Sequence, residues 1–311
     1  MKRAIKDAAK RAGYKTFRAI ERLGFHVLPV HYYSPVPNIA ELERTRDKWA
    51  HPSKLPGVLV DLDEQVRTLR GICLPFRDEY ASGVIYAEAQ RRNLGPGFGP
   101  VEAQALHCVV RHLRPRTVIE VGSGLSTWCM LNALRLNQNA EPALICIEPF
   151  PAAGLQALSG IELMKTAVQD VDPALFERLE PSDVLFIDSS HSVKPLGDVN
   201  YLVLEVLPRL KSGVAVHFHD IYLPYDYPRD LFHNFFSATE TSLVRAYLIY
   251  NSRMRILFCL SHLHYERKTE LREIFPTYVS EADFDGLRDS TMPPFSQSDK
   301  HFPSSLYLMT S

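Results

Sequence analysis

The chain has 311 residues, 46% of them hydrophobic and 23% charged, which suffices for one large α/β domain with an extension and excludes wholesale disorder. A formal net charge of −1 argues against a general nucleic-acid binder, which carries a basic excess. The five cysteines, Cys73, Cys108, Cys129, Cys146 and Cys259, never reach CxxC spacing. They exclude a zinc ribbon or thioredoxin-like site and point to a reducing, cytoplasmic setting.

Residues 2 to about 23 predict a basic amphipathic helix. Ala4, Ile5, Ala8, Ala9, Phe17, Ile20 and Leu23 supply its apolar positions, Lys and Arg fill most others, and Gly24 stops it. No apolar stretch follows the basic start, so a signal peptide is not expected, and no segment reaches the ~18 apolar residues of a membrane span. Two readings of this helix stand open: an anchor on a membrane surface, or a helix packed on the body or on a partner subunit of a homo-oligomer. Residues 25–38 are rich in Pro, His and Tyr, which precludes regular helix. This strap either closes a substrate pocket or is structural.

Residues 40–92 read as short helices divided by Pro52, Pro56 and Pro75. In the clearest, Leu62, Val66, Leu69 and Ile72 recur at helical spacing. The Gly/Pro-rich stretch 95–100 then breaks the chain, and the boundary is placed there: an N-terminal extension over 1–97 and a catalytic domain over 98–311. From residue 101 helices alternate with short apolar runs. Strands are predicted at 117–121, 143–148, 161–165, 183–188, 213–219, 254–259 and 305–308, with a helix at 101–113, another ending near 136 and a third ending near 210. Strands separated by helix-length segments imply a parallel, doubly wound sheet, whose ligands bind beyond the carboxyl ends of the strands.

That rule selects the chemical residues. After the first strand, Gly122 and Gly124 in Glu120-Val-Gly-Ser-Gly-Leu-Ser-Thr127 allow a tight turn close to a ligand. Ser126 or Thr127 stands where a dinucleotide binder places a third glycine to seat pyrophosphate on the helix N-terminus. A ligand carrying a sulfonium and an amino acid needs no such cradle, and Glu120 is positioned to face its cationic group. Glu148, ending the second strand, suits both ribose hydroxyls of an adenosine. Asp170, after the third, either meets the adenine or caps the next helix. Asp188-Ser-Ser-His191 closes the fourth strand and His217-Phe-His219-Asp220 the fifth. If those strands are neighbours, Asp188 and Asp220 can share Mg²⁺ or another divalent ion. His191, with an ordinary imidazole pKa near 6.5, is placed to take a proton from a substrate hydroxyl. His217 reads as a core histidine.

These residues carry a family resemblance. The segment 120–127 is similar to motif I of class I methyltransferases. Together with Ile147-Glu148-Pro149, Phe186-Ile187-Asp188-Ser189-Ser190-His191 and His219-Asp220-Ile221, it resembles bacterial methyltransferase family 24 over about residues 98–311. The resemblance implies a Rossmann-like, mostly parallel α/β fold that binds S-adenosylmethionine through Glu120, Gly122, Ser123, Gly124, Ser126, Thr127, Glu148 and Asp170. Macrolide sugar O-methyltransferases, which this group is similar to, imply a His base at His191 and a metal held by Asp188, His219 and Asp220. His219 departs from that pattern, which has a carboxylate there, and imidazole is a poorer Mg²⁺ ligand. The expected activity is O-methylation of a sugar or polyketide-like small molecule. The alternatives are an iron-dependent oxygenase using Asp188, His191 and His219, a non-catalytic scaffold, and an NAD-dependent dehydrogenase.

Overall fold

The computed structural model describes residues 2–34, 36–95, 97–137, 142–234, 238–281, 285–288 and 301–311. Pro35 in the strap and Pro96 in the Gly/Pro break lie outside the described residues. Two compact units divide the chain, Met1–Ala50 and His51–Ser311.

In the first unit, helix α1 (Lys2–Glu21) covers the basic amphipathic segment. It ends where Leu23 and Gly24 donate back to Ile20 and Glu21, with Gly24 at φ +86°. Among the described residues of 25–38 neither helix nor strand forms, as three prolines require. Asn38 then accepts from the Glu41 amide and caps α2 (Ile39–Arg44), which is followed by α3 (Arg46–Trp49).

The second unit is built on seven strands: β1 (Thr117–Val121), β2 (Ala143–Ile147), β3 (Glu162–Met164), β4 (Val184–Ile187), β5 (Ala215–Phe218), β6 (Met254–Cys259) and β7 (Leu306–Thr310). Their order is β3-β2-β1-β4-β5-β7-β6, with β7 antiparallel to both neighbours. This is the mostly parallel α/β sheet expected from the residues and the Rossmann-like fold that the family resemblance implies. Parallel strands covered on both faces read as continuous apolar runs, and β1, β2, β4 and β5 are buried almost throughout.

Alternation along each strand sorts the core into two layers. Ile119, Val121, Ile145, Ile147, Leu185, Ile187, Val216 and Phe218 face one side, where they meet Val199, Leu202, Val203 and Val206. Those four sit in α10 (Asp198–Tyr201) and in the wider turns that continue it through 202–206. Val118, Leu144, Cys146, Val184, Phe186 and Ala215 face the other side, against α7 (Pro100–Leu113) and α8 (Leu125–Leu136). Each such aliphatic side chain contributes roughly 1.5–3 kcal/mol on burial.

The division at Ala50 corrects the expected boundary at residue 97. Helix α4 (Leu62–Cys73) buries Val66, Leu69, Ile72 and Cys73 in one cluster with Val101, Ala105 and Val109 of α7 and Leu257 and Phe258 of β6. After α5 (Arg77–Tyr80), α6 (Val84–Arg91) supplies Ala89 to the α8 side. The Gly/Pro stretch is therefore a turn into α7 within one core. Pro100 starts that helix at a position whose N–H has no helical partner. Helices α9 (Ala153–Gln156), α11 (Glu240–Leu248), α12 (Leu260–Glu266) and α13 (Lys268–Ile274) complete the unit.

Leu69 is fully buried at the α4–α7–β6 junction, so Leu69→Ala is expected to lower global stability by about 2–5 kcal/mol. Urea unfolding followed by far-ultraviolet dichroism and by Trp128 fluorescence should show one shifted transition. An early, separate transition with the sheet unaffected would make residues 51–97 an independent element.

Candidate active site

The parallel register aligns the carboxyl ends of β1, β2, β4 and β5. Gly122 N donates to Ile147 O (3.0 Å), Asp188 N to Val121 O (2.8 Å) and His219 N to Ile187 O (2.9 Å). The loop after β1 thus lies between Glu148 on one side and Asp188 on the other, with His219 and Asp220 one strand further along.

Gly122 adopts φ +78°, and a Cβ there would lie 1.7 Å from the Asp188 carbonyl oxygen. Any side chain would thus be both strained and in collision. Glu148 accepts from Ser123 N (3.3 Å) and Phe150 N (2.7 Å) through its two oxygens, which holds its carboxylate at the loop. Phe150 itself is 88% exposed. Asp170 ends a short 3₁₀ turn, Val168–Asp170, exposed at a surface cavity of about 510 Å³ shared with Gln169, Leu196, Asn200 and Tyr201. It is not the cap of the next turn; that is Asp172, which accepts from Ala174 N.

Glu120 is not where a cationic ligand would meet it. Strand alternation turns it to the α7–α8 side, fully buried. There it accepts hydrogen bonds from Ser126 Oγ (2.6 Å), Thr127 Oγ1 (2.6 Å) and the Cys146 thiol (3.3 Å). Thr127 Oγ1 in turn accepts from Gly124 N. The side chains of Glu120, Ser126 and Thr127 therefore brace the glycine loop from behind. Burial pushes the Glu120 carboxyl up to about 7, against the pull of those hydrogen bonds.

Beyond β4 and β5 the titratable residues converge. His191 Nε2 lies 3.2 Å from Asp188 Oδ1 and 3.6 Å from Asp220 Oδ2, and its Nδ1 is 2.8 Å from Glu240 Oε2. The His191 carbonyl also accepts from Thr239 N and Glu240 N, so the start of α11 grips both its backbone and its ring. His219 Nδ1 lies 3.4 Å from Asp188 Oδ1 and 3.7 Å from Asp220 Oδ1, while Nε2 pairs with Glu102 Oε1 at 3.1 Å. Ser304 Oγ links Asp220 Oδ1 (2.8 Å) to Glu102 Oε1. His191 and Asp220 both hold left-handed backbones, φ +56° and +52°. That strain costs about 1–3 kcal/mol each and is characteristic of functional positions.

Each imidazole thus has a buried carboxylate behind it: Glu240 for His191, Glu102 for His219. The sequence reading missed both. Glu102 carried a signal, sitting three residues into a helix opened by Gly99, whose amide it accepts. Glu240, 49 residues beyond His191, carried none. Burial works against charge on His191, yet hydrogen bonds to Asp188 and Glu240 and the nearby Asp220 push it up to about 10. This corrects the expectation of an ordinary imidazole. Burial would likewise raise Asp188, but His219 and His191 hold it well below the usual carboxylate range. His219 is raised, against burial, by Asp220, Asp188 and Glu102. His217 is a core residue, stacked 4.2 Å from Phe186 and hydrogen-bonded to Ser305.

Asp188, His191 and His219 bring one ligand atom each within 4.8 Å of one another. His191 thereby joins Asp188 and His219 in the tightest set, with Asp220 at its margin. His219 Nδ1 is buried and makes no well-formed hydrogen bond.

Residues 119–221 match the family model of a methyltransferase domain. An uncharacterized protein of Archaeoglobus fulgidus is 30% identical over 166 residues, which cover 49% of this chain and 73% of that protein. Among solved structures, the SAH-bound methyltransferase PaMTH1 of Podospora anserina is 13% identical and aligns over 75% of this chain and 93% of its own, with a TM-score of 0.38. An O-methyltransferase of Bacillus cereus in complex with SAH is 14% identical over 61% of this chain and 90% of its own, TM-score 0.37. With the strand order and the glycine loop already in place, the chain belongs to the class I S-adenosylmethionine-dependent methyltransferases.

Glu120 yields a pH test. Its folded pKa is raised, so the folded state keeps a proton that the unfolded state loses above about pH 4.5. Stability therefore falls as pH rises toward about 7, by up to about 3 kcal/mol. Glu120→Gln should remove this component, so that denaturant unfolding at pH 5 and pH 8 gives a variant that gains on the parent at the higher pH. A parent–variant difference independent of pH would remove the burial argument.

Proposed function

We propose that the enzyme transfers the methyl group to a hydroxyl of a small molecule such as a sugar, with His191 as the base and a divalent cation held by Asp188 and His219 beside Asp220. The observation that supports this reading most directly is the excess of carboxylate in the cluster: Asp188, Asp220, Glu102 and Glu240 surround two imidazoles. Even with both rings protonated, negative charge remains for a cation to neutralise.

The bound donor supplies a methyl already activated on sulfonium. The chain's task is to place it and to move one proton. Glu148 is offered to the ribose hydroxyls, the backbone around Gly122 and Gly124 to the amino-acid end, and the exposed ring of Phe150 and the Asp170 cavity to the base. A cation would orient and acidify the acceptor hydroxyl. Glu102, by accepting a hydrogen bond from Nε2–H of His219, would leave Nδ1 as the ligand atom. This carboxylate–imidazole arrangement fixes tautomer and ring orientation.

Glu240 does the same for His191. Asp188 and Asp220 favour a proton on His191 Nε2. Were those two carboxylates to hold a cation, that nitrogen would be free to accept the hydroxyl proton, with Nδ1–H kept on Glu240. The acceptor oxygen then forms its bond to the methyl carbon as the carbon–sulfur bond breaks, and one proton leaves through His191.

An imidazole beside two carboxylates suits a d-block ion better than it suits Mg²⁺, whereas the trio Asp188, His191 and His219 is the ligand face of iron oxygenases. Calorimetric titration is expected to rank Mn²⁺ or Co²⁺ above Mg²⁺, with Glu102→Gln weakening the metal by about 10–100-fold. Fe²⁺-dependent oxygen consumption without methyl transfer would move the chain to the oxygenase reading. His191→Ala should retain donor binding by calorimetry and lose at least ~100-fold in turnover with radiolabelled donor. Turnover equal to that of the parent would take His191 out of the mechanism.

A further inference from the structure

We propose that the Met1–Ala50 unit docks the enzyme on an anionic lipid surface. The charge of this protein is divided unevenly. Residues 1–50 carry 11 Lys and Arg against 5 Asp and Glu, whereas residues 51–311 carry 24 against 31. The basic excess is confined to the first 22 residues, with 8 against 2. The near-neutral total therefore conceals a cationic segment joined to an acidic body.

Within the unit, α1 is a continuous helix of 20 residues, about 30 Å long. At about 100° per residue, Ala12, Ala19 and Ile20 fall on one side, continued by Leu23, while Lys10, Arg11 and Arg18 fall on the other. None of its described side chains is buried. No helix among the described residues is long and apolar enough to cross a membrane. A helix of this kind lies in the interface, its apolar side toward the acyl chains and its basic side among anionic headgroups.

The segment that follows repeats the chemistry. Phe25, Val30, Tyr32 and Tyr33 are 66%, 72%, 93% and 84% exposed. Tyrosines with an apolar body and a polar tip concentrate at the headgroup level. Cationic and apolar-aromatic surface in one short unit matches an anionic bilayer surface in both charge and polarity. Docking there would present the catalytic unit to acceptors carried on lipid.

The test uses the full chain. It is sedimented with vesicles of phosphatidylcholine alone and with vesicles containing about 30% phosphatidylglycerol. Anionic vesicles should bind at least ~10-fold tighter, and the preference should collapse in 0.5 M salt, where the screening length shrinks to about half its value at 0.1 M. The triple change Lys10→Glu, Arg11→Glu, Lys15→Glu should abolish the preference. Tyr32→Ser with Tyr33→Ser should weaken binding that survives salt. Donor affinity by calorimetry should stay unchanged in both, showing the catalytic unit intact.

Equal partition to both vesicle types, or anionic binding untouched by the charge reversal, overturns the proposal. So does a concentration-dependent dimer that the charge reversal dissolves while vesicles bind nothing, since the segment would then serve a second copy of the chain.

Discussion

Parallel pairing is the constraint on which everything in the catalytic unit hangs. Each central strand is hydrogen-bonded in register with its neighbour, so β1, β2, β4 and β5 end together and release their next residues at one level. The Gly122 turn, Glu148, Asp188 and His219 are those next residues. A shift of one residue in any pair would turn its side chains to the opposite face. Glu120 would then lose Ser126 and Thr127, and His219 would lose Glu102. The apolar alternation that sets the register is thus also what aims the polar groups.

A second layer of carboxylates does the aiming at atomic scale. Glu120, Glu102 and Glu240 are all buried, and each is engaged by donors: two hydroxyls and a thiol, His219 with Ser304, and His191 with Ser189. Burying a carboxylate without partners is expensive. With partners it becomes a rigid fixture whose low-dielectric surroundings strengthen every contact. The glycine loop and the two imidazoles are therefore held by the core, while what faces outward is left for ligands.

The strands were legible because four to seven mostly apolar residues bounded by turn signals have few other solutions, and all seven predicted runs overlap observed strands. The strand-end residues Asp188, His191, His219 and Asp220 were legible for the same reason, since topology delivers whatever terminates adjacent strands to one place. Glu120 was misread as ligand-facing although the alternation that buries Val118 already pointed it the same way. Ser126 and Thr127 followed it, because the hydroxyls of a helix's first turn can serve a ligand or a neighbouring acid equally well on paper. The boundary at 97 failed because a Gly/Pro run marks a turn whether or not a domain ends there. Glu240 lay beyond reach: its meeting with His191 depends on how the start of α11 packs back under the loop, and no periodicity records that.

The contact between Gly122 and the Asp188 carbonyl has one further implication. Asp188 N donates to Val121 O beside this close contact, so the glycine turn and the end of β4 are tied together. They form a single mechanical part. Exchange of bound molecules would then fall to segments hung outside that part, such as the stretch from Ser192 to Gly197. Breathing of the enzyme would belong to its periphery, while the glycine turn and the strand end beside it would move as one body.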